Sequence, residues 1–198
     1  PQRFTAARFI IAVGTEPYRP SNIPFDGEAI LDPDEILELK RLPRSLTVIG
    51  AGVIGIEYAT IFSALDVKVT VIEPADSFQR KVKRVTRPAH DACLVELEDS
   101  RLVWSEMVLF AAGRKGATES LELENCGLST DDRGKIEVDR ATFRTKLPHI
   151  FAVGDVIGFP SLASTSMEQG RIAACNAFDA QAQAPPEFFP YGIYSVPE

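Results

Sequence analysis

The chain has 198 residues, of which 45% are hydrophobic and 25% charged, and its formal net charge is −7. This composition is typical of a soluble globular protein, and the negative charge argues against a general nucleic-acid or anionic-membrane partner. No apolar run approaches the ~18 residues of a membrane span, and the three cysteines are far apart, so we expect no membrane helix, no disulfide scaffold and a reduced, cytoplasmic setting.

The first elements along the chain are a strand and a short helix. An apolar run at 9–13 predicts a buried strand, which Gly14 closes. The stretch 17–34 is rich in proline, aspartate and glycine and is typical of an irregular connection. A short helix is predicted at 35–40, with Asp34 as its candidate N-cap.

A glycine-rich loop at 50–55 has the pattern Gly-x-Gly-x-x-Gly. An apolar β-type run at 46–49 precedes it, a helical pattern at 53–65 follows it, and a second β-type run at 67–72 ends on Glu73. This β-turn-α-β order with a terminal acid is typical of dinucleotide-binding proteins. The alternative is a glycine-rich turn in an ordinary α/β crossover.

Each residue type in this loop has a physical reason. Gly50 permits the tight turn, Gly52 lets the backbone approach a pyrophosphate, and Gly55 lets the helix and strand pack closely. The N-terminus of the helix offers N–H groups and a positive dipole end to phosphates. The carboxylate of Glu73 can accept hydrogen bonds from a ribose diol.

The chain departs from this pattern after Glu73. A mononucleotide-binding half needs a second crossover helix and a third parallel strand, or roughly 25 more residues judged from the size of a βαβ unit. Instead, antiparallel-looking β segments follow at 81–85, 92–98 and 102–104. We therefore expect that residues are missing near 76–79 and that the numbering runs across the break.

The rest of the chain predicts more strands and one long helix. An apolar strand at 107–112 and a buried strand at 150–153 each run into a glycine. A helix is predicted near 167–179, after a turn rich in serine and threonine. The weaker features are a short strand at 136–138, a polar linker at 181–186 and the start of a strand at 191–198.

Three strand ends outside the glycine-rich unit form a second pattern. They are Ala12-Val13-Gly14-Thr15, Ala111-Ala112-Gly113-Arg114 and Phe151-Ala152-Val153-Gly154-Asp155. Each lets a backbone or a carboxylate approach a ligand at the carboxyl edge of a parallel sheet. Their order around the glycine-rich unit resembles that of the pyridine nucleotide–disulfide oxidoreductases, which are flavoproteins with two dinucleotide sites. Within that family, 151–171 and 190–198 look most like the Si-specific transhydrogenases.

The resemblance implies an α/β fold in which a Rossmann-like NAD(P)-binding domain, a parallel sheet plus an antiparallel β-meander, is inserted in a split FAD-binding α/β domain. The implied divisions are 1–40 for part of the FAD-binding domain and a connection, 41–118 for the NAD(P)-binding domain, 119–186 for the second FAD-binding part, and 187–198 for the start of an interface domain. The family's first FAD unit and the rest of its interface domain are not found in this sequence. We therefore expect a fragment that alone is monomeric, inactive and weak in binding FAD, from a homo-oligomeric parent.

The resemblance also implies roles for particular residues. Asp155 would bind the FAD ribitol, Ala163 and the following helix N-terminus would face the pyrimidine edge of the flavin, and Glu57 would lie near the nicotinamide. The residues implied for NAD(P) are Gly50, Gly52, Val53, Ile54, Gly55, Glu57, Glu73 and Gly113, and those for FAD are Gly14, Gly154, Asp155 and Ala163. No catalytic side chain and no metal site is predicted. Plainer alternatives are a turn cap for Asp155, an exposed helical glutamate for Glu57 and a surface charge for Arg114.

The implied function is hydride transfer between NADPH and NAD⁺, in ping-pong fashion through N5 of FAD, with nicotinamide dinucleotides as substrates. One alternative is a disulfide reductase like dihydrolipoamide dehydrogenase, and another is a non-catalytic dinucleotide-binding module or redox sensor. Glu73 favours the ribose diol of NAD(H) and should repel a 2′-phosphate. Four nearby basic residues could offset this repulsion, or they could form a solvated charge run instead. They are Arg80, Lys81, Lys83 and Arg84.

Overall fold

The computed structural model describes residues 3–73, 82–181 and 192–197. The chain forms two compact units, one from Pro1–Glu16 with Arg114–Tyr191 and the other from Pro17–Gly113 with Gly192–Glu198. The second unit therefore interrupts the first in the sequence. The segment expected to be missing near 76–79 lies outside the described residues.

A four-stranded parallel sheet in the order β3-β9-β4-β5 forms the centre of the second unit. Its strands are β3 (Ile30–Leu31), β4 (Ser45–Ile49), β5 (Lys68–Ile72) and β9 (Met107–Phe110). Strands β4 and β9 lie in the middle of the sheet and are almost entirely buried, as their mainly apolar sequences predict. Helix α1 (Val53–Ala64) follows β4 and buries Ala59 and Phe62.

A three-stranded antiparallel meander completes the second unit. It consists of β6 (Val82–Ala89), β7 (Ala92–Leu97) and β8 (Leu102–Ser105). Burial alternates along β7, where Cys93, Val95 and Leu97 face the core. The combination of a parallel sheet with an antiparallel meander confirms the fold class predicted from the sequence.

The first unit has two short strand pairs and one long helix. Strand β1 (Phe9–Ile11) pairs in parallel with β11 (Ile150–Ala152), and β2 (Thr15–Pro17) pairs with β10 (Arg114–Gly116). Helix α2 (Ala163–Ala177) packs against this part of the chain. The side chains that are fully buried in its core include Phe151, Val156 and Ile172. Among the described residues of both units, no helix is long and apolar enough to cross a membrane.

Strand β1 is more exposed than its apolar sequence predicts. Phe9 and Ile10 are each 43% exposed, so the prediction of a buried strand is wrong. The physical reason is that, among the described residues, β1 pairs only with β11. Its other edge and part of its face are therefore left open.

The helix predicted at 35–40 forms as a single 3-10 turn, Glu35–Glu38. The prediction of Asp34 as its N-cap is wrong, because Asp34 makes no capping hydrogen bond through its side chain. Asp32 caps the turn instead, since its Oδ1 accepts hydrogen bonds from the backbone N–H of Asp34 at 2.8 Å and of Glu35 at 2.9 Å. A carboxylate two residues earlier therefore does the capping.

Three later elements also differ from prediction. The strand predicted at 136–138 is reduced to an isolated bridge between Thr130 and Ile136. Helix α2 begins at Ala163, earlier than predicted, because the turn rich in serine and threonine is itself helical. The described residues 192–197 form no strand.

Candidate functional site

The glycine-rich loop joins β4 to α1 in the second unit. Gly50 has a φ of +106°, which favours glycine, and a Cβ built there would lie 2.7 Å from the carbonyl oxygen of Ala111. A Cβ on Gly55 would overlap the carbonyl oxygen of Gly50, so α1 can approach the loop only through glycine. The N–H of Gly50 donates to the carbonyl oxygen of Ile72 at 2.8 Å and ties the loop to β5.

Gly52 leaves open space in front of α1. Apart from the two neighbours of Gly52 in the chain, no described residue has an atom within 4 Å of a Cβ built there. Gly52 is also the N-cap, so no side chain caps the first turn, which begins with Val53 and Ile54. An uncapped helix N-terminus with room before it is suited to bind a pyrophosphate.

Glu73 contacts the same loop from the end of β5. The backbone N–H of Ala51 donates a hydrogen bond to its Oε2. Strands β4 and β5 are parallel, with Ile49 opposite Ile72, so both end at one edge of the sheet. The structure therefore brings the predicted acid and the predicted glycines together.

Glu57 lies on α1 against the last described segment of the chain. Its Oε1 accepts a hydrogen bond from the N–H of Tyr194 at 3.0 Å, and one turn along, Thr60 Oγ1 accepts one from Val196 at 3.1 Å. Glu57 is half-buried. It is therefore more than an exposed helical glutamate, because a second segment of the unit holds its carboxylate.

Gly113 lies just beyond β9 at the same sheet edge. Its φ is +117°, and its carbonyl oxygen accepts a hydrogen bond from Tyr18 at 3.1 Å. Ala111 donates to the carbonyl oxygen of Ile49 at 2.8 Å, so the chain leaving β9 runs beside the start of the glycine-rich loop. Gly113 therefore lies two residues along the chain from Ala111, which is hydrogen-bonded to the residue just before the glycine-rich loop.

The described members of the basic run make surface ion pairs. Lys83 Nζ lies 2.5 Å from Glu96 Oε1, and Arg84 Nε lies 4.0 Å from Glu96 Oε2. The side chains of Lys83 and Arg84 are 60% and 66% exposed. The hydrogen bond from Lys83 lowers the pKa of Glu96. These two residues behave as solvated charges, while Arg80 and Lys81 lie outside the described residues.

A hydrogen-bonded chain of side chains reaches Asp155 in the first unit. Thr15, the residue after Gly14, has its Oγ1 3.5 Å from Asp155 Oδ2. Arg114 donates from Nε to Thr15 Oγ1 and from Nη2 to the Thr15 carbonyl oxygen, both at 2.8 Å. Arg114 is therefore part of the framework around Asp155 and not only a surface charge.

Helix α2 holds the glycine before Asp155. The Oε1 of Gln169, which is only 3% exposed, accepts a hydrogen bond from the N–H of Gly154 at 2.7 Å. Ala163 is the first residue of the same helix. Sequence reasoning did not single out Thr15 or Gln169. Thr15 could have been noticed as the neighbour of Gly14, whereas an isolated glutamine in a helix carries no recognisable motif.

Replacing Gln169 with leucine is expected to lower the free energy of unfolding by about 1–3 kcal/mol, because the buried N–H of Gly154 then loses its acceptor. Urea denaturation measures this effect. Met167→Leu is the matched control, since Met167 is 72% exposed on the same helix and its replacement should change stability by less than about 0.5 kcal/mol. Equal stability of the two variants would contradict the role of Gln169.

Comparison with known proteins decides the family. The sequence pattern of the family described as pyridine nucleotide-disulphide oxidoreductase matches residues 1–93 and 77–170. The chain belongs to the pyridine nucleotide-disulphide oxidoreductases. A relative named soluble pyridine nucleotide transhydrogenase, from Mycobacterium bovis, is 46% identical over 98% of this chain and 46% of its own length. A relative of the same name from Salmonella paratyphi C is 40% identical over 100% of this chain and 47% of its own.

The chain spans about half the length of the curated relatives it matches. Solved structures agree on the fold. LpdA from Mycobacterium tuberculosis superposes with a TM-score of 0.81 at 28% identity, covering 90% of this chain and 44% of that one. The HOCl-induced flavoprotein disulfide reductase RclA from Escherichia coli has a TM-score of 0.83 at 26% identity, covering 96% and 49%.

Proposed function

We propose that the complete protein is a Si-specific transhydrogenase that transfers hydride between NADPH and NAD⁺ through bound FAD. The observation that carries this proposal is the open, uncapped start of α1 behind Gly52, with Glu73 held against the same loop. Relatives named soluble pyridine nucleotide transhydrogenase, at 40% and 46% identity, support the choice of reaction. The proposed NAD(P) residues are Gly50, Gly52, Val53, Ile54, Gly55, Glu57, Glu73 and Gly113, and the proposed FAD residues are Gly14, Gly154, Asp155 and Ala163.

The proposed domain organisation includes an internal omission near 76–79. The family pattern matches twice, and its two ranges, 1–93 and 77–170, overlap around this position. The Salmonella relative aligns over 222 residues, 24 more than the 198 of this chain. Both findings support the absence of a crossover of about the size that a mononucleotide-binding half requires.

The residues of the second unit would bind and orient the nicotinamide dinucleotide. The N–H groups at the start of α1 would bind its pyrophosphate, since the dipole of a helix favours anions at its N-terminus. Glu73 would accept hydrogen bonds from the adenosine ribose, and Glu57 would lie at the nicotinamide end. Because one such site is proposed, NADPH and NAD⁺ would occupy it in turn, which is the basis of ping-pong kinetics.

The residues of the first unit would hold the flavin. Bound FAD supplies the hydride-accepting centre, N5, which no protein side chain can provide. Asp155 would accept a hydrogen bond from a ribitol hydroxyl, and Thr15 and Arg114 would keep its carboxylate in place. The N-terminus of α2, beginning at Ala163, would face the pyrimidine edge with its positive dipole end.

The test is hydride transfer from NADPH to thio-NAD⁺ by the complete protein saturated with FAD. We expect rapid formation of thio-NADH, parallel lines in double-reciprocal plots and no oxidation of dihydrolipoamide. Intersecting lines would contradict the ping-pong order, and a protein that transfers no hydride to thio-NAD⁺ would contradict the proposed reaction. Failure of the complete protein to bind flavin would favour a non-catalytic dinucleotide-binding module.

A disulfide reductase is the second candidate function. The observation in its favour is structural similarity to a protein described as a flavoprotein disulfide reductase. Cys93, Cys126 and Cys175 are all unpaired and well separated in the sequence, so no redox pair is formed by these three. Dihydrolipoamide oxidation without transfer to thio-NAD⁺ would establish this alternative.

A further inference from the structure

Two hydrogen bonds attach the last described segment of the chain, residues 192–197, to α1. The backbone N–H of Tyr194 donates to Glu57 Oε1 at 3.0 Å, and the N–H of Val196 donates to Thr60 Oγ1 at 3.1 Å. Glu57 and Thr60 are three positions apart on the helix and therefore lie on one face of it. That face can hold two N–H groups of one segment that passes along it.

Apolar burial contributes little to this attachment. Ile193 is 53% exposed, and Tyr194 is 71% exposed with its ring beside Gly192, where a Cβ would lie 3.6 Å from a ring carbon. Side chains that remain mostly in water gain little free energy from burial. The segment therefore depends on its two hydrogen bonds to α1, and the loss of either bond would release part of it.

The hydroxyl of Thr60 is fixed in direction by the helix itself. It donates its single proton to the carbonyl oxygen of Glu57 at 2.9 Å, since a carbonyl oxygen can only accept. A hydroxyl also has acceptor lone pairs, and the N–H of Val196, which can only donate, uses one of them. Thr60 is therefore an anchor whose hydroxyl has a role on both sides.

Glu57 can hold the segment and still offer an oxygen to a ligand. A carboxylate has two acceptor oxygens, and Tyr194 engages Oε1. Glu57 lies about one turn into α1, behind the uncapped N-terminus where the pyrophosphate is proposed to bind. Its Oε2 can accept a hydrogen bond from the carboxamide NH₂ of a nicotinamide. The bond from Tyr194 restricts rotation of the carboxylate and so keeps Oε2 in one direction.

We propose that Thr60 is a positioning residue for the nicotinamide end of a bound dinucleotide: it anchors residues 192–197, and Tyr194 of that segment holds the Glu57 carboxylate toward the carboxamide. This inference rests on the proposed function, because it requires a dinucleotide on the glycine-rich loop with its nicotinamide at Glu57. It deepens that function, because it gives a part in recognition to a segment 137 residues further along the chain.

The test compares the binding of NAD⁺ with that of ADP-ribose, which has the same adenosine and pyrophosphate but no nicotinamide. Isothermal titration calorimetry of the full chain measures both dissociation constants. Thr60→Val keeps the shape of the side chain but removes the acceptor. We expect this variant to bind NAD⁺ about fivefold more weakly, with ADP-ribose unchanged within about twofold. Thr60→Ser restores the hydroxyl and should restore NAD⁺ binding.

Further variants separate this route from other causes. Ser63→Ala removes a hydroxyl from an exposed position of the same helix, and it should leave both dissociation constants unchanged. Glu57→Ala should weaken NAD⁺ binding, and Thr60→Val should add nothing in that background, because Thr60 acts through Glu57. Tyr194→Pro removes the N–H that Glu57 accepts. It should match Thr60→Val, and it tests the same contact if Thr60→Val does not fold.

The outcomes distinguish the two proposals. If neither NAD⁺ nor ADP-ribose binds to the unaltered chain, the proposed dinucleotide site is wrong, and the inference with it. If both bind but their ratio does not move in Thr60→Val or Tyr194→Pro, the role of Thr60 alone is wrong. A further loss on adding Thr60→Val to Glu57→Ala would also overturn it. Tighter binding of NAD⁺ by Thr60→Val would show that the segment competes with nicotinamide for Glu57, which is the opposite of the proposal.

Discussion

Replacing Gly55 with alanine is expected to lower the free energy of unfolding by about 3 kcal/mol and to abolish dinucleotide binding. The added methyl group would overlap the carbonyl oxygen of Gly50, a backbone atom that cannot turn aside as a flexible side chain can. Either α1 or the loop must then move, and both are proposed to bind the pyrophosphate. Urea denaturation measures the loss of stability, and titration of NADH fluorescence measures the loss of binding.

Gly52→Ala is the matched control for this prediction. Gly52 has an ordinary φ of −66°, and its Cβ position is open, so alanine should cost at most about 1 kcal/mol, the usual penalty of alanine at an N-cap. The methyl group would nevertheless occupy the space through which a pyrophosphate approaches, so we expect NADH to bind at least about tenfold more weakly. Full binding by Gly52→Ala would contradict the proposed phosphate position, and normal stability of Gly55→Ala would contradict the close packing of the loop.

Replacing Glu106 with glutamine is expected to destabilise the second unit by about 2 kcal/mol at neutral pH, because it removes a buried charge that two arginines share. The carboxylate side chain is only 8% exposed. Its Oε2 accepts hydrogen bonds from the N–H of Arg44 at 2.8 Å and from Arg41 Nη1 at 3.1 Å. These contacts tie the connection before β4 to the residue before β9.

The lowered pKa of Glu106 determines how the effect of Glu106→Gln on the free energy of unfolding changes with pH. The backbone and side-chain hydrogen bonds from Arg44, followed by that from Arg41, hold the pKa of Glu106 at about 2, against an ordinary value of 4.5. Because the folded-state pKa is lowered, the stabilisation is complete above pH 4.5 and is lost as the pH falls toward 2. The difference in unfolding free energy between the wild type and Glu106→Gln should therefore narrow steadily over this range.

Urea denaturation at several pH values tests the role of Glu106. Glu96→Gln is the control, because Glu96 pairs with Lys83 on the surface and its replacement should have a much smaller effect. A difference between wild type and Glu106→Gln that stayed constant from neutral to acid pH would show that lost packing, and not the charge, causes the destabilisation.

Local sequence patterns predicted the β-α-β unit around the glycine-rich loop well. The order β4-α1-β5 with Glu73 at its end was predicted from periodicity and glycine spacing, because such signals depend only on residues close in the chain. Burial was less predictable. The apolar residues of β1 were predicted to be buried, but Phe9 is 43% exposed, since periodicity cannot show whether a neighbouring element covers a strand.

The sequence by itself determined the fold class and the glycine-rich loop of this protein and indicated its family, because these depend on short motifs of residues close together in the chain. Only the tertiary structure decided which polar groups support the sites. Thr15 meets Asp155 across 140 residues of chain, and Arg44 meets Glu106 across 62. Such pairs depend on how distant elements pack, and the packing gives most buried polar groups a partner that the sequence does not reveal.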